Sequence, residues 1–173
     1  MELTFSVAPP SRLAEVDRLI RAAFTPYVRA LGREIAPDAY AWFAEAIVKG
    51  DIYIALDGAG VGEELVGAIC TKPGGSDLEL ALIGVSPARQ KSGIASFMIG
   101  KVETLARARG MKALSLNTAE MMEDRVRLYS HHGFAIVRRG PPGHGKDTLT
   151  RVYMKKSLLE ADRGVWRKRS RRA

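Results

Sequence analysis

The stretch Leu78-Glu79-Leu80-Ala81-Leu82-Ile83-Gly84-Val85-Ser86-Pro87-Ala88-Arg89-Gln90-Lys91-Ser92-Gly93-Ile94-Ala95 decides how the rest of the chain is read. The apolar run Leu80–Val85 predicts a buried strand. From Ile94 to about Gly110 the apolar residues Ile94, Met98, Val102 and Leu105 fall on one face at helical spacing. A strand ending in a Gly-bearing turn that opens a helix gathers unpaired backbone N–H groups at the positive end of the helix dipole. Such a place suits a phosphate. Gly93 and Ala95 lack bulk, so a pyrophosphate can come close to the backbone. Lys91, Arg89 and the Gln90 amide add donors nearby.

Length and composition limit what surrounds this unit. At 173 residues, 46% hydrophobic and 27% charged, the chain has the make-up of one soluble globular domain. Its one cysteine, Cys70, lies in an apolar strand-like run, which rules out a disulfide framework and points to a reducing cytoplasm. No apolar stretch is long enough to span a membrane, and no signal peptide is visible. No His, Cys and carboxylate set has metal-ligand spacing, so no metal is expected. The net charge of +8 is uneven: residues 160–173 hold six basic and two acidic residues, half of the excess. We therefore divide the chain into a domain over 1–158 and a basic tail over 159–173. The charge left on the domain is modest; it suits a polyanionic cofactor and does not call for nucleic acid.

Around the organising stretch the pattern predicts strands at Leu3–Val7, Asp51–Leu56, Leu65–Thr71, Lys112–Asn117, Phe134–Arg139 and Leu149–Lys155. A first helix carries Leu13, Val16, Ile20 and Phe24, with Ser11 as its expected N-cap and Pro26 as its expected break. Tyr27–Glu34 then reads as an irregular or helical link. A second helix is expected from Pro37 to Ile47, and a short one over Met121–His132, closed by Gly133 with Phe134 as the apolar contact after it. Lys72–Ser76 reads as a turn. The result is an α/β fold with a mixed sheet, in which the strands at 78–85 and 112–117 run parallel across the intervening helix.

Gln90-x-x-Gly93-x-Ala95 resembles the acetyl-CoA loop of the GNAT acetyltransferases, (Gln/Arg)-x-x-Gly-x-(Gly/Ala). Leu128-Tyr129-Ser130-His131-His132-Gly133-Phe134 is similar to the family's Leu-Tyr-x-x-x-Gly-Phe, and Arg151-Val152-Tyr153-Met154-Lys155-Lys156 to the last strand of one bacterial branch. The resemblance implies a GNAT fold over 1 to about 158, a mixed six- to seven-stranded sheet flanked by about four helices. It also implies acetyl-CoA as cosubstrate and direct transfer of its acetyl group to a primary amine of a small molecule or peptide. Members are monomers or homodimers.

By the same resemblance, Ile83 and Val85 lie at the strand splay that supplies an oxyanion-binding N–H. Gln90, Lys91, Ser92, Gly93, Ile94 and Ala95 hold the pyrophosphate, Asn117 contacts the cofactor, and Tyr129 is the general acid. Many members carry a glutamate where this chain has Ala81. Glu79, two residues earlier and on the same face by strand alternation, is the candidate base, with His144 as another. His131 and His132 are expected to face solvent at a helix end. Tyr27, Arg29, Arg33, Tyr40, Trp42 and Phe43 are expected to shape the acceptor pocket. A CoA-binding module without catalysis is the alternative that Ala81 leaves open.

Overall fold

In the computed structural model, which describes residues 1–58, 60–143 and 148–159 (of Val61 the backbone alone), seven strands form one sheet flanked by four helices. The elements are β1 (Leu3–Val7), α1 (Leu13–Ala30), α2 (Phe43–Val48), β2 (Ile52–Asp57), β3 (Glu64–Gly74), β4 (Asp77–Val85), α3 (Ile94–Ala108), β5 (Ala113–Ala119), α4 (Glu123–His131), β6 (Ala135–Gly140) and β7 (Arg151–Ser157). The order across the sheet is β1-β2-β3-β4-β5-β7-β6. Only β4 and β5 run parallel, as the crossover through α3 requires. His144 and the basic tail from residue 160 lie outside the described residues.

Side-chain alternation splits the core into two layers. Tyr53, Ile69, Leu78, Leu80, Leu114, Leu116 and Met154 face α3 and α4, where Ile94, Met98, Ile99 and Val102 meet them. Ile52, Ile54, Leu56, Ala68 and Cys70 face α1 and α2, against Val16, Ile20, Phe43 and Ile47. Cys70 is fully buried, and its burial pushes the thiol up to about 12, so it stays protonated packing material.

Two glycines let the helices close onto the sheet. A Cβ on Gly84 would lie 2.5 Å from Ile20 Cδ1, and one on Gly67 would lie 2.9 Å from Met98 Cε. Ile20 is wholly buried and has little room to give. Gly84→Ala is therefore expected to destabilise the domain by about 1–3 kcal/mol through overpacking, read as a lower urea midpoint with unchanged slope. A midpoint equal to the wild type would show that Ile20 relaxes freely.

Four local expectations are corrected. Ser11 caps nothing; Pro9 and Pro10 fix a 3-10 turn at Pro10–Arg12 that runs straight into α1, which has no side-chain cap. Helix α1 continues through Pro26 to Ala30. Upstream of it Thr25 Oγ1 donates to the Arg21 carbonyl at 2.7 Å, and Gly32 (φ +69°) ends the helix with N–H bonds from Gly32 to Arg29 O and from Arg33 to Val28 O. The second helix shrinks to Phe43–Val48, because the Arg21 guanidinium holds the carbonyls of Ala36 and Pro37 in an irregular approach. The turn expected over Lys72–Ser76 is tighter too. Strand β3 runs on to Gly74, leaving Gly75 (φ +64°) and Ser76 as a two-residue hairpin turn.

Candidate active site

Strands β4 and β5 pair only over three rungs, Asp77 with Ala113, Leu78 with Leu114 and Glu79 with Ser115. Beyond Glu79 they part. Strand β4 stays paired with β3, but with a bulge: Cys70 faces Leu82 while Thr71 faces Leu80, so Ala81 is the extra residue. The bulge shifts the alternation, which is why Leu78 and Leu80 before it and Ile83 and Val85 after it all face α3. Ser86 N–H donates to Val66 O, which fixes which residues of β4 bond to β3. By antiparallel alternation Gly84 and Leu82 follow Ser86, leaving the N–H and C=O of Ile83 and Val85 turned toward the gap. The Gln90 side-chain amide donates to the Val85 carbonyl at 3.3 Å.

The turn after β4 curls through two left-handed residues, Lys91 (φ 62°) and Gly93 (φ 87°). Left-handed backbone costs a lysine about 1–2 kcal/mol, a strain of the kind that collects at functional sites. The first backbone bond of α3 runs from Phe97 N–H to Gly93 O, and the N–H groups of Gly93, Ile94, Ala95 and Ser96 find no acceptor among the described residues. Among the described residues, chain neighbours aside, no atom lies within 4 Å of where a Cβ on Gly93 would sit. This is a concave set of donors at a helix N-terminus, fit for an anion. Arg89, by contrast, is committed: its guanidinium lies 2.6 Å from Asp57 and 2.8 Å from Glu64, tying the turn to β2 and β3. Those carboxylates hold it above its ordinary value, Glu64 foremost.

A cleft of about 830 Å³ opens from this turn. Ile94 and Ala95 of α3 and Leu128 and Tyr129 of α4 line it from one side of the sheet, Ala23, Pro26 and Tyr27 of α1 from the other, and Ile83 and Val85 between. A cleft walled by helices from both sides passes through the sheet, at the split between β4 and β5. Arg125 of α4 lies 4.6 Å from the ring of Phe24 of α1 and spans the two walls.

Tyr129 is held from below. Helix α4 ends with N–H bonds from Gly133 (φ 85°) to Ser130 O and from Phe134 to Tyr129 O, and the Phe134 ring packs edge-on against Tyr129 at 6.1 Å. Burial raises the phenol above its ordinary value, with Arg125 opposing. No described residue hydrogen-bonds its hydroxyl. His132 departs from expectation: its Nε2 lies 2.9 Å from Ser96 Oγ instead of facing solvent. Burial, then Lys156 and His131, hold the imidazole below its ordinary value, with Glu103 pulling the other way.

The structure brings together Ile83, Val85, Gln90, Lys91, Gly93, Ile94, Ala95 and Tyr129 around the cleft, with Ser92 on the same turn, donating to the Arg89 carbonyl. It does not add Glu79 or Asn117, whose neighbours Leu78, Leu80 and Leu116 face α3 and so place both on the opposite face. Of the residues expected to shape an acceptor pocket only Tyr27 lines the cleft. Phe43 is core between Tyr40 and Trp42, and Arg29 pairs with Glu34. Ala23, Pro26 and Arg125 were missed; Gly32, which marks the true end of α1, was the available signal for the first two.

The sequence profile of the Acetyltransferase (GNAT) family matches residues 14–134. The chain belongs to the GNAT acetyltransferases. The split sheet, the donor turn and the cleft are thus those of an acyltransferase fold. An IAA acetyltransferase of Azospirillum brasilense is 36% identical over 93 residues, a match that spans 53% of this chain and 59% of that protein. Among solved structures, Ard1 from Thermoplasma volcanium has a TM-score of 0.72 at 17% identity, covering 92% of this chain and 100% of its own. The PaiA N-acetyltransferase of Thermoplasma acidophilum, in complex with coenzyme A, has a TM-score of 0.70 at 16% identity, covering 91% of this chain and 99% of its own. These two likenesses concern the fold. Among the described residues no cluster is suited to a metal ion, and no helix is long and apolar enough to cross a membrane.

Proposed function

We propose that this GNAT member transfers the acetyl group of acetyl-CoA to a primary amine of a small molecule or peptide, by direct attack on the thioester. The observation that carries this is the four unpaired N–H groups of Gly93–Ser96 at the head of a cleft that runs through the sheet. When bound, acetyl-CoA supplies an activated acyl group. Gln90–Ala95 hold the pyrophosphate by backbone donors, the only kind of contact a left-handed glycine can make. The backbone groups of Ile83 and Val85 that face the gap act like a free strand edge for the amide arm, and an N–H among them meets the charge that develops on the carbonyl oxygen. Tyr129, protonated across the neutral range, gives its proton to the departing sulfur.

Glu79 and Asn117 serve the other mouth. Glu79 sits on the last paired rung, and Asn117 is two residues past its partner Ser115 on the same face, opposite Tyr153. There Asn117 contacts the acceptor in place of the cofactor, and Glu79 takes the amine proton through water. The lone buried cysteine fits work in a reducing compartment, the cytoplasm.

Free thiol release, followed during incubation with acetyl-CoA and a panel of primary amines beside calorimetric titration of acetyl-CoA, tests this reading. Micromolar binding with amine-dependent release is expected. Binding without release from any amine would favour the non-catalytic CoA-binding module that Ala81 leaves open, and no binding would overturn the proposal.

A further inference from the structure

The contact between His132 and Ser96 joins two parts of the site that the family motifs treat separately: the helix end that carries Tyr129 and the helix start that carries the donor turn. Ser96 lines the cleft, and its N–H is one of the four unpaired donors. His132 follows α4 directly, and its Nε2 stands 2.9 Å from Ser96 Oγ. Serine hydroxyls donate one hydrogen bond and accept others. When Nε2 is bare, the Ser96 proton is spent on the imidazole and the hydroxyl turns only lone pairs to the cleft. When Nε2 carries a proton, the imidazole donates to Oγ and the hydroxyl proton is released toward the cleft.

We propose that His132 is a positioning residue that sets the direction of the Ser96 hydroxyl, and that acetyl-CoA binding draws a proton onto Nε2 so that Ser96 donates to the pyrophosphate. This rests on the cofactor reading above. Charged and titratable groups face the imidazole from each packed element: Lys156 from β7, Glu103 from α3 and His131 beside it. Lys156 and Glu103 are themselves paired at 2.6 Å, and Arg107 joins the same carboxylate; at the imidazole Lys156 outweighs Glu103, but these pairs hold one another, which leaves the Ser96 contact as the element that changes on binding. Burial keeps the free imidazole neutral near pH 7. A neutral ring can also carry its one proton on Nε2, but only the imidazolium adds a positive charge beside the pyrophosphate; binding favours that charged form, so affinity rises as pH falls through the His132 titration.

The test compares acetyl-CoA affinity by calorimetry from pH 8 to pH 5.5 in the wild type, His132→Gln and Ser96→Ala. Titration of the phosphates of acetyl-CoA is common to all three and cancels in the ratio of wild type to variant. That ratio is expected to change roughly tenfold across the range, the worth of one charge-assisted hydrogen bond, and a fourth protein that carries both substitutions is expected to differ from the wild type no more than either alone. Ring NMR of His132 is expected to show a higher titration midpoint when acetyl-CoA is added. Parallel pH profiles in the wild type and His132→Gln would overturn the proposal while leaving cofactor binding intact. Absence of binding in all three proteins would instead overturn the cofactor reading. In that case an unchanged His132 titration in free Ser96→Ala would dismiss the coupling on its own account.

Discussion

Gly93→Val is expected to weaken acetyl-CoA binding at least tenfold while the protein remains folded. The two halves of that expectation have separate causes. Gly93 sits at φ 87°, where a side chain costs about 1–2 kcal/mol, an amount that a domain of this size tolerates. Among the described residues, chain neighbours aside, nothing lies within 4 Å of the new Cβ, so no clash adds to that strain. The space a valine would fill is the open side of the donor turn, where the N–H groups of Gly93–Ser96 await a ligand. Each donor held off the anion forfeits a charge-assisted bond. Calorimetric titration beside a thermal melt separates the effects. A folded variant with wild-type affinity would show that the pyrophosphate does not rest on this turn.

Tyr129→Phe is expected to lower turnover by about 10²- to 10⁴-fold, the range for removal of a general acid, with acetyl-CoA affinity nearly unchanged. Phenylalanine keeps the ring that packs on Phe134, and no described residue loses a hydrogen bond with the hydroxyl. The cost therefore falls on the proton alone. Because burial raises the phenol above its ordinary value of about 10, Tyr129 stays protonated through neutral and mildly alkaline pH. The sign follows: loss of activity through this group begins only above that value. Equal turnover in the two proteins would take the acid role from Tyr129. A fall in affinity as large as the fall in turnover would make it a binding group instead.

The parts of the site that were legible in the sequence are those written in local chemistry. Gly93 needs φ above zero at a strand-to-helix turn, and Gly133 with Phe134 closes α4 in the way that positions Tyr129. Both signals sit within a few residues of the feature they create. Four other parts depend on distant partners and are not written locally. The bulge at Ala81 arises from the register between β3 and β4, and no residue type announces it. Alternation put Glu79 and Ala81 on one face, but it gave no hint that the strand beyond Ala81 turns its other residues to the cleft. Motif position assigns Asn117 to the cofactor but not to a face; the alternation of β5 between Leu116 and Thr118 sets it on the face away from α3. Pro26 reads as a helix breaker, yet α1 runs past it because Gly32 and Arg33 cap a later turn and the Arg21 guanidinium ties down the chain that follows. Helix-end electrostatics alone sends His132 to solvent and holds no sign of the Ser96 that α3 brings to it.

The division of the sheet after Glu79 has a kinetic meaning. A slot that pierces a sheet has an entrance on each face, so on the acetyl-transfer reading proposed above donor and acceptor arrive by different doors and are resident together. Neither has to leave before the other enters, and the protein has no need to store the acyl group on one of its own side chains between two visits. The only cysteine, sealed on the α1 side of the sheet, could not serve as such a depot. On that reading the architecture commits the catalyst to a ternary complex, and its rate then depends on how long both guests overlap in the slot.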